Sequence, residues 1–308
     1  MTNMEKRRLG RTGLEATILG LGGAPLSGQL GRDVPEADAL ETVWATLEAG
    51  INLIDTAPLY GEGRSEPLIG RALRERSDLA QGCILSTKVG RYPSAKADYS
   101  YDATLRSVER SLELLGVSHL PIVHIHDVQT AEQLRAIVCG HAAHAALRQL
   151  QAQGVVGFIG LGTRGLSALR FAVESGEFDV VMMANQYNLL VREGQEILEL
   201  AAQRDVGVML AGVYATGILA QGSASPEARF LYRGADPAVR QRVAALENLC
   251  QKWGCSLAAA ALQFCLRGPA AKAIAVVGAR NRQQVQENVA RLNEAIAPGF
   301  WAELESLA

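Results

Sequence analysis

The constraint that most limits this chain is an alternation repeated eight times: a short run of apolar, β-favouring residues followed by a longer stretch with helical periodicity. The runs are ILGLGG (18–23), INLID (51–55), CILSTK (83–88), LPIVHIH (120–126), VVGFIG (155–160), DVVMMA (179–184), VGVMLA (206–211) and AIAVVG (273–278). Several are apolar throughout, as expected of a parallel strand covered on both faces. Segments 36–49, 65–76, 102–115, 130–153, 165–175, 193–204 and 281–295 carry apolar residues three and four apart and are predicted as crossover helices. In 102–115 the pattern runs through Leu105, Val108, Leu112 and Leu115, with Asp102 as the expected N-cap and Gly116 as the stop.

Eight βα units within 308 residues predict one (β/α)8 TIM-type barrel, a single domain spanning 1–308, rather than two smaller domains. RRLG and LEATI around Arg11, Thr12 and Gly13 predict a short N-terminal β-hairpin capping one end. The connection between the seventh and eighth runs is about twice the others. It holds a long loop, GVYATGILAQGSASPEARFLYRG, and two further helical stretches, 237–253 and 256–267. A loop of that length is expected to bear on specificity; segments 24–33 and 92–101 are expected to share that role.

Composition narrows the function. Thirty Lys and Arg against 32 Asp and Glu give a net charge of −2, which offers no basic field for nucleic acid or an anionic membrane surface. No apolar run approaches the ~20 residues of a membrane span, and the N-terminus lacks a signal-peptide pattern. Five cysteines without a CxxC pair suggest neither a disulfide framework nor a zinc site. A cytoplasmic protein acting on a small molecule is the expectation; the sequence carries no signal for oligomeric state.

Reactive groups of a parallel barrel sit where strands end and loops begin. Asp55 closes the second run, Tyr60 follows in TAPLYGEGRSE, Lys88 closes the third and His126 the fourth. Each alone has an ordinary role as cap, packing residue or solvated charge. Together they place a carboxylate, a phenol, an ammonium and an imidazole on one rim. A lysine cation beside the tyrosine is expected to draw its pKa from ~10 toward neutrality, with Asp55 holding the lysine charged. Tyr60 would then act as general acid for carbonyl reduction and as general base for alcohol oxidation. His124 lies two residues before His126 on the same strand face, so the imidazole assignment is open between them on spacing alone.

RRLGRTGLEATILGLGG, NLIDTAPLYGEGRSEPLIGRAL, STKVGR and IVHIHDV, followed by ANQYNLL, GILAQG and VVGARNRQQVQENV, resemble the successive signatures of the aldo-keto reductases over nearly the whole chain. That resemblance implies a nicotinamide cofactor and places Asp55, Tyr60, Lys88 and His126 on the family's catalytic tetrad, Asp127 favouring His126 over His124. KVGRY and HDVQTAEQL are similar to the branch of L-galactose, L-fucose and D-threo-aldose dehydrogenases and of pyridoxal dehydrogenase. The implied reaction is oxidation of an aldose at its anomeric carbon to a lactone, with a neutral sugar as substrate. The alternatives are an NADPH-dependent aldehyde reductase, a pyridoxal dehydrogenase and, outside catalysis, a cofactor-binding regulatory subunit.

The resemblance also implies cofactor contacts. The family's Ser-Asn pair after the fifth strand is replaced by Gly162-Thr163-Arg164-Gly165, so Asn185 or Gln186 is expected to compensate. Tyr214 is the candidate for stacking on the nicotinamide, with Gly217 beside it. Gly278 and Gln284 stand where NADP-using members carry Lys and Arg, leaving Arg280 as one phosphate partner; Asn288 is expected near the adenosine. The balance leans to NAD over NADP.

Three other patterns are weaker. Gly160-Leu-Gly162-Thr-Arg-Gly165 has the form of a dinucleotide-binding fingerprint, but a doubly wound fold would leave four earlier βα units unexplained. Tyr92 and Lys96 match a YxxxK spacing, yet Pro93 makes that segment a loop. Cys139, His141 and His144 lack a companion ligand and are expected on a helix surface, so no metal is predicted.

Overall fold

The computed structural model describes residues 4–28, 33–93 and 95–306. Eight parallel strands close into a barrel: β1 Leu19–Gly22, β2 Leu53–Asp55, β3 Ile84–Val89, β4 Leu120–His126, β5 Val156–Thr163, β6 Val180–Ala184, β7 Gly207–Ala211 and β8 Ile274–Gly278. β8 pairs with β1 in register Ala275 to Leu19, which completes the ring. Helices pack around it in an α/β TIM-type architecture, and the eight strands fall on the eight apolar runs.

The interior is graded along each strand. Side chains alternate with period two, so Leu53 and Asp55 of β2 point inward, as do Ile84, Ser86 and Lys88 of β3 and Ile122, His124 and His126 of β4. Leu53, Ile84 and Ile122 join Leu9, Ala16, Val180, Met182, Met209, Ile274 and Val276 in an apolar plug. Polar groups occupy the same inward rows nearer the carboxyl ends. The predicted hairpin is present as Lys6–Arg8 paired antiparallel with Glu15–Thr17. Its Leu9 and Ala16 are fully buried and close the amino end of the plug.

Some boundaries differ from expectation. The helix 102–115 begins one residue earlier, at Tyr101, because Ser100 rather than Asp102 caps it by accepting from the Ala103 amide; Gly116 ends it at φ +71°. Segment 130–153 is two helices, Ala131–Cys139 and Ala143–Ala152. Gly140 leaves helical geometry there, and Ala142 bridges to Ser100 instead. His141 therefore lies in the break, stacked on Tyr101, whereas His144 is buried against the Glu177 carbonyl. Tyr92 lies outside any helix or strand and accepts from the Gly90 amide.

Within the long seventh connection a small hairpin appears, Arg229–Phe230 with Arg233–Gly234. A last helix, Pro298–Ser306, was not foreseen; Phe300, Trp301 and Leu304 bury its inner face. No helix among the described residues is long and apolar enough to cross a membrane. No group of three or more His, Cys, Asp or Glu among them is placed to hold a metal ion.

Candidate active site

A cavity of about 430 Å³ opens at the carboxyl end of the barrel. Asp55, Tyr60 and His126 line it, with Lys88 beneath. The Lys88 ammonium donates to Asp55 Oδ2 at 2.6 Å and to the Thr56 carbonyl at 2.7 Å. Ser86, paired with Asp55 across β2 and β3, donates to the other carboxylate oxygen at 2.8 Å. Burial pushes Asp55 up and Lys88 down, each toward its neutral form, while the contact between them opposes both shifts.

Tyr60 is carried by a tight loop. Its carbonyl accepts from the Ser65 amide, and Gly61 follows at φ +58°. A Cβ on Gly61 would stand 2.0 Å from Ser27 Cβ, so only glycine lets the loop lie this close to the barrel rim. The Tyr60 ring centroid is 4.7 Å from Lys88 Nζ and 5.9 Å from the His126 ring, which meets it edge-on at 86°.

The expected fall of the Tyr60 pKa toward neutrality does not occur among the protein's own groups. Burial raises the phenol well above its usual 10, and the Asp55 carboxylate, then Tyr232 and Asp127, raise it further. Lys88 supplies little compensation because its charge is matched by Asp55 at hydrogen-bond distance. The two imidazoles are also separated in depth. His124 is wholly buried and pushed down to about 3 by burial and by the Lys88 charge. His126 faces the cavity and is pushed well below its usual value by burial and, less strongly, by the Lys88 charge, so it is a neutral ring there. Its backbone carbonyl is tied to the Tyr99 hydroxyl at 2.7 Å.

The GxGxxG segment has a different origin from a phosphate loop. Gly160 and Gly162 lie in β5 directly opposite His124 and His126. A Cβ at Gly160 would stand 2.2 Å from His124 Nδ1, and one at Gly165 would stand 2.0 Å from the Gln129 carbonyl oxygen. These glycines make room for an imidazole and a neighbouring loop.

The remaining predicted contacts spread around the mouth. Asn185, Tyr214, Gly217, Gly278 and Arg280 line the cavity. Gln284 and Asn288 stand behind it: the Gln284 side chain accepts from the Arg280 amide, and Asn288 accepts from the Tyr214 hydroxyl at 2.9 Å. The Gln186 amide donates to the Arg164 carbonyl. Thr163, Met182, Asp127 and Tyr232 also line the cavity. Spacing did not single out Tyr232, because it lies in a segment with neither helical nor strand period.

The donor set fits a nicotinamide cofactor. Asn185 is buried with Oδ1 lacking a hydrogen-bond partner among the described residues, a ready acceptor for a carboxamide N–H. Glycines 212, 217 and 278 keep the adjoining rim open. The Arg282–Asn293 helix, capped by Asn281, starts four residues beyond Gly278.

The aldo/keto reductase family model matches residues 18–308. The chain belongs to that family. It is 35% identical to a pyridoxal 4-dehydrogenase of Microbacterium luteolum, covering 98% of this chain and 97% of the relative. It is 31% identical to the L-galactose dehydrogenase of Arabidopsis thaliana, over 97% and 92% of the two chains. An aldo-keto reductase of Bacillus halodurans, solved in its holo form, superposes with a TM-score of 0.80 at 26% identity, over 99% of this chain and 97% of that one. The protein is thus an oxidoreductase of a family that uses NAD(P)H.

Proposed function

We propose that this aldo-keto reductase oxidises a cyclic hemiacetal, an aldose such as L-galactose or L-fucose, to its lactone with NAD. The observation that carries the reading is the Asp55–Lys88 pair set beneath Tyr60, with His126 edge-on to the phenol at the floor of one cavity. The hydroxyl on the anomeric carbon would lie against Tyr60, which in its phenolate form would take that proton as hydride leaves the carbon. Bound NAD supplies the hydride acceptor together with a positive charge that favours the phenolate. Neutral His126 serves as a hydrogen-bond partner for the same oxygen. Lys88, with two of its three N–H bonds committed, has one left to direct at the phenol oxygen. Asn185 and Tyr214 would hold the nicotinamide, and Gly278 and Arg280 the adenosine side.

The lean to NAD is supported by Arg282. This cation at the start of the last cofactor-side helix is bound to Glu41 at 2.7 Å and Glu48 at 2.6 Å, so its charge is not offered to a 2′-phosphate. Five free cysteines suit a reducing, cytoplasmic setting. Pyridoxal belongs to the same reaction class, because its aldehyde closes on the neighbouring hydroxymethyl group to give a hemiacetal.

A second reading, reduction of reactive aldehydes, is favoured by one observation: the protein's own groups hold Tyr60 protonated, the form that donates to a carbonyl oxygen. The experiment is a spectrophotometric panel of NAD and NADP against L-galactose, L-fucose, D-arabinose, D-galactose and pyridoxal, with aldehyde reduction run in parallel. Rapid NAD reduction by one hemiacetal is the expected result. Aldehyde reduction alone would replace the first reading by the second. Tight cofactor binding without turnover in either direction would leave the regulatory subunit, against which the full set of four reactive residues counts.

A further inference from the structure

Leu231 and Tyr232 are the exposed large hydrophobic side chains among the described residues, at 38% and 49%. They are also the two central residues of the small hairpin's turn, where Phe230 pairs with Arg233. Both adopt left-handed backbone, with φ +48° and +68°. Two-residue turns of this kind favour Asn-Gly, because a side chain at positive φ is crowded. This turn therefore combines two unfavourable choices, apolar exposure and strained backbone. Neither improves the stability of the fold.

The Tyr232 side chain reaches back over the cavity. It lines the same space as Tyr60 and His126, and its hydroxyl meets the Asn185 amide at 3.4 Å. The Arg164 guanidinium sits 5.9 Å from the ring centroid. Tyr232 also lies close enough to raise the Tyr60 phenol electrostatically. The hairpin stem is fixed below by the Ala235 amide bonded to the Ala228 carbonyl, and Ala228 is buried.

We propose that Tyr232 is a specificity residue whose ring roofs the substrate subsite opposite Tyr60 and selects substrates that present a flat, apolar ring face. Resting on the reading that this cavity takes a carbonyl or hemiacetal substrate, it adds that planar aromatic substrates gain a stacking contact that small open-chain aldehydes do not. The half-exposed ring is covered when such a substrate enters, which recovers apolar burial that the turn forgoes.

The test compares wild type with Tyr232→Gly and Tyr232→Phe, using 4-nitrobenzaldehyde and methylglyoxal as reduction substrates and pyridoxal as the oxidation substrate. Tyr232→Gly is expected to raise KM for 4-nitrobenzaldehyde at least tenfold, and KM for methylglyoxal less than twofold. Its thermal midpoint should hold or rise, because glycine relieves the left-handed position; a merely structural residue would lower it. Tyr232→Phe keeps the ring and is expected to retain the wild-type KM for 4-nitrobenzaldehyde. An unchanged KM ratio in Tyr232→Gly would overturn the roof. Aldehyde reduction with the expected ratio but no oxidation of pyridoxal or sugar would refute the hemiacetal reading and leave the roof standing.

Discussion

Lys88 Nζ and Asp55 Oδ2 lie 2.6 Å apart across adjacent barrel strands, both side chains almost wholly withdrawn from water. Removing one partner of such a pair strands the other charge in a low-dielectric interior and costs about 3–5 kcal/mol. Asp55→Ala is therefore expected to lower unfolding free energy by about that amount, measured by urea titration. The double change Asp55→Leu with Lys88→Met should recover most of the stability and none of the activity. Equal losses in single and double variants would show that the pair's charges do not set the cost.

Tyr60→Phe removes the hydroxyl proposed to carry the proton and leaves the ring against His126 and Lys88. Turnover in both directions should fall by about 10²–10⁴-fold, the usual worth of a positioned acid or base. Cofactor titration by fluorescence should show affinity within about twofold of wild type. Retained turnover would remove Tyr60 from the proton-transfer step.

The direction of the Tyr60 shift fixes the sign of the pH dependence. A phenol held above its usual 10 is protonated throughout the neutral range, so the base form grows as pH rises. Oxidation measured as kcat/KM should climb with pH through pH 9 without levelling, whereas reduction should be flat over the same range. A plateau in oxidation near pH 7 would show that bound cofactor overrides the effects of burial and Asp55.

The eight strands were legible because burial on both faces writes continuous apolar runs, and the candidates Asp55, Lys88 and His126 because they interrupt those runs at strand ends, with Tyr60 in the loop that follows the second. Ser100 was missed as a cap since Asp102 is equally suited chemically, and the choice depends on where Tyr99 and Ala142 are held. Tyr60's shift was misjudged for a different reason. Sequence gives the neighbours of the phenol and the Asp55–Lys88 pairing, but not that the phenol is buried deeply enough for desolvation to outweigh the lysine charge. The loop that holds Tyr232 was expected to bear on specificity, but Tyr232 itself was not singled out, because a strained turn with an unsuited residue looks like the rest of a loop until its side chain is seen over a cavity. Of the specificity loops, residues 29–32 and 94 lie outside the described residues.

Acid stability follows from the buried imidazoles. His124, at about 3, His126 and His144 all have folded pKa values below the unfolded ~6.5. The unfolded chain then binds more protons as pH falls, so stability is complete above about pH 6.5 and is lost below it. Each fully neutral histidine contributes a slope of about 1.4 kcal/mol per pH unit. Urea titrations between pH 6 and 4 should show a steep loss, and His124→Leu should reduce the slope by about one proton. An unchanged slope in that variant would mean that His124 is protonated in the folded protein.

The glycines of the 160–165 segment allow the phosphate-loop and packing origins to be separated. Gly160 faces the His124 ring, and a methyl group there would stand 2.2 Å from Nδ1, inside any real contact distance. Both residues are buried in the barrel wall, so the ring has little room to retreat, and overpacking of this kind costs about 1–3 kcal/mol. Gly160→Ala should lower the unfolding free energy by that amount, while cofactor affinity in the folded fraction stays near wild type. The paired change Gly160→Ala with His124→Ala should recover part of the loss, because the atom the methyl group meets is gone. Loss of cofactor affinity without loss of stability would instead return this segment to dinucleotide binding.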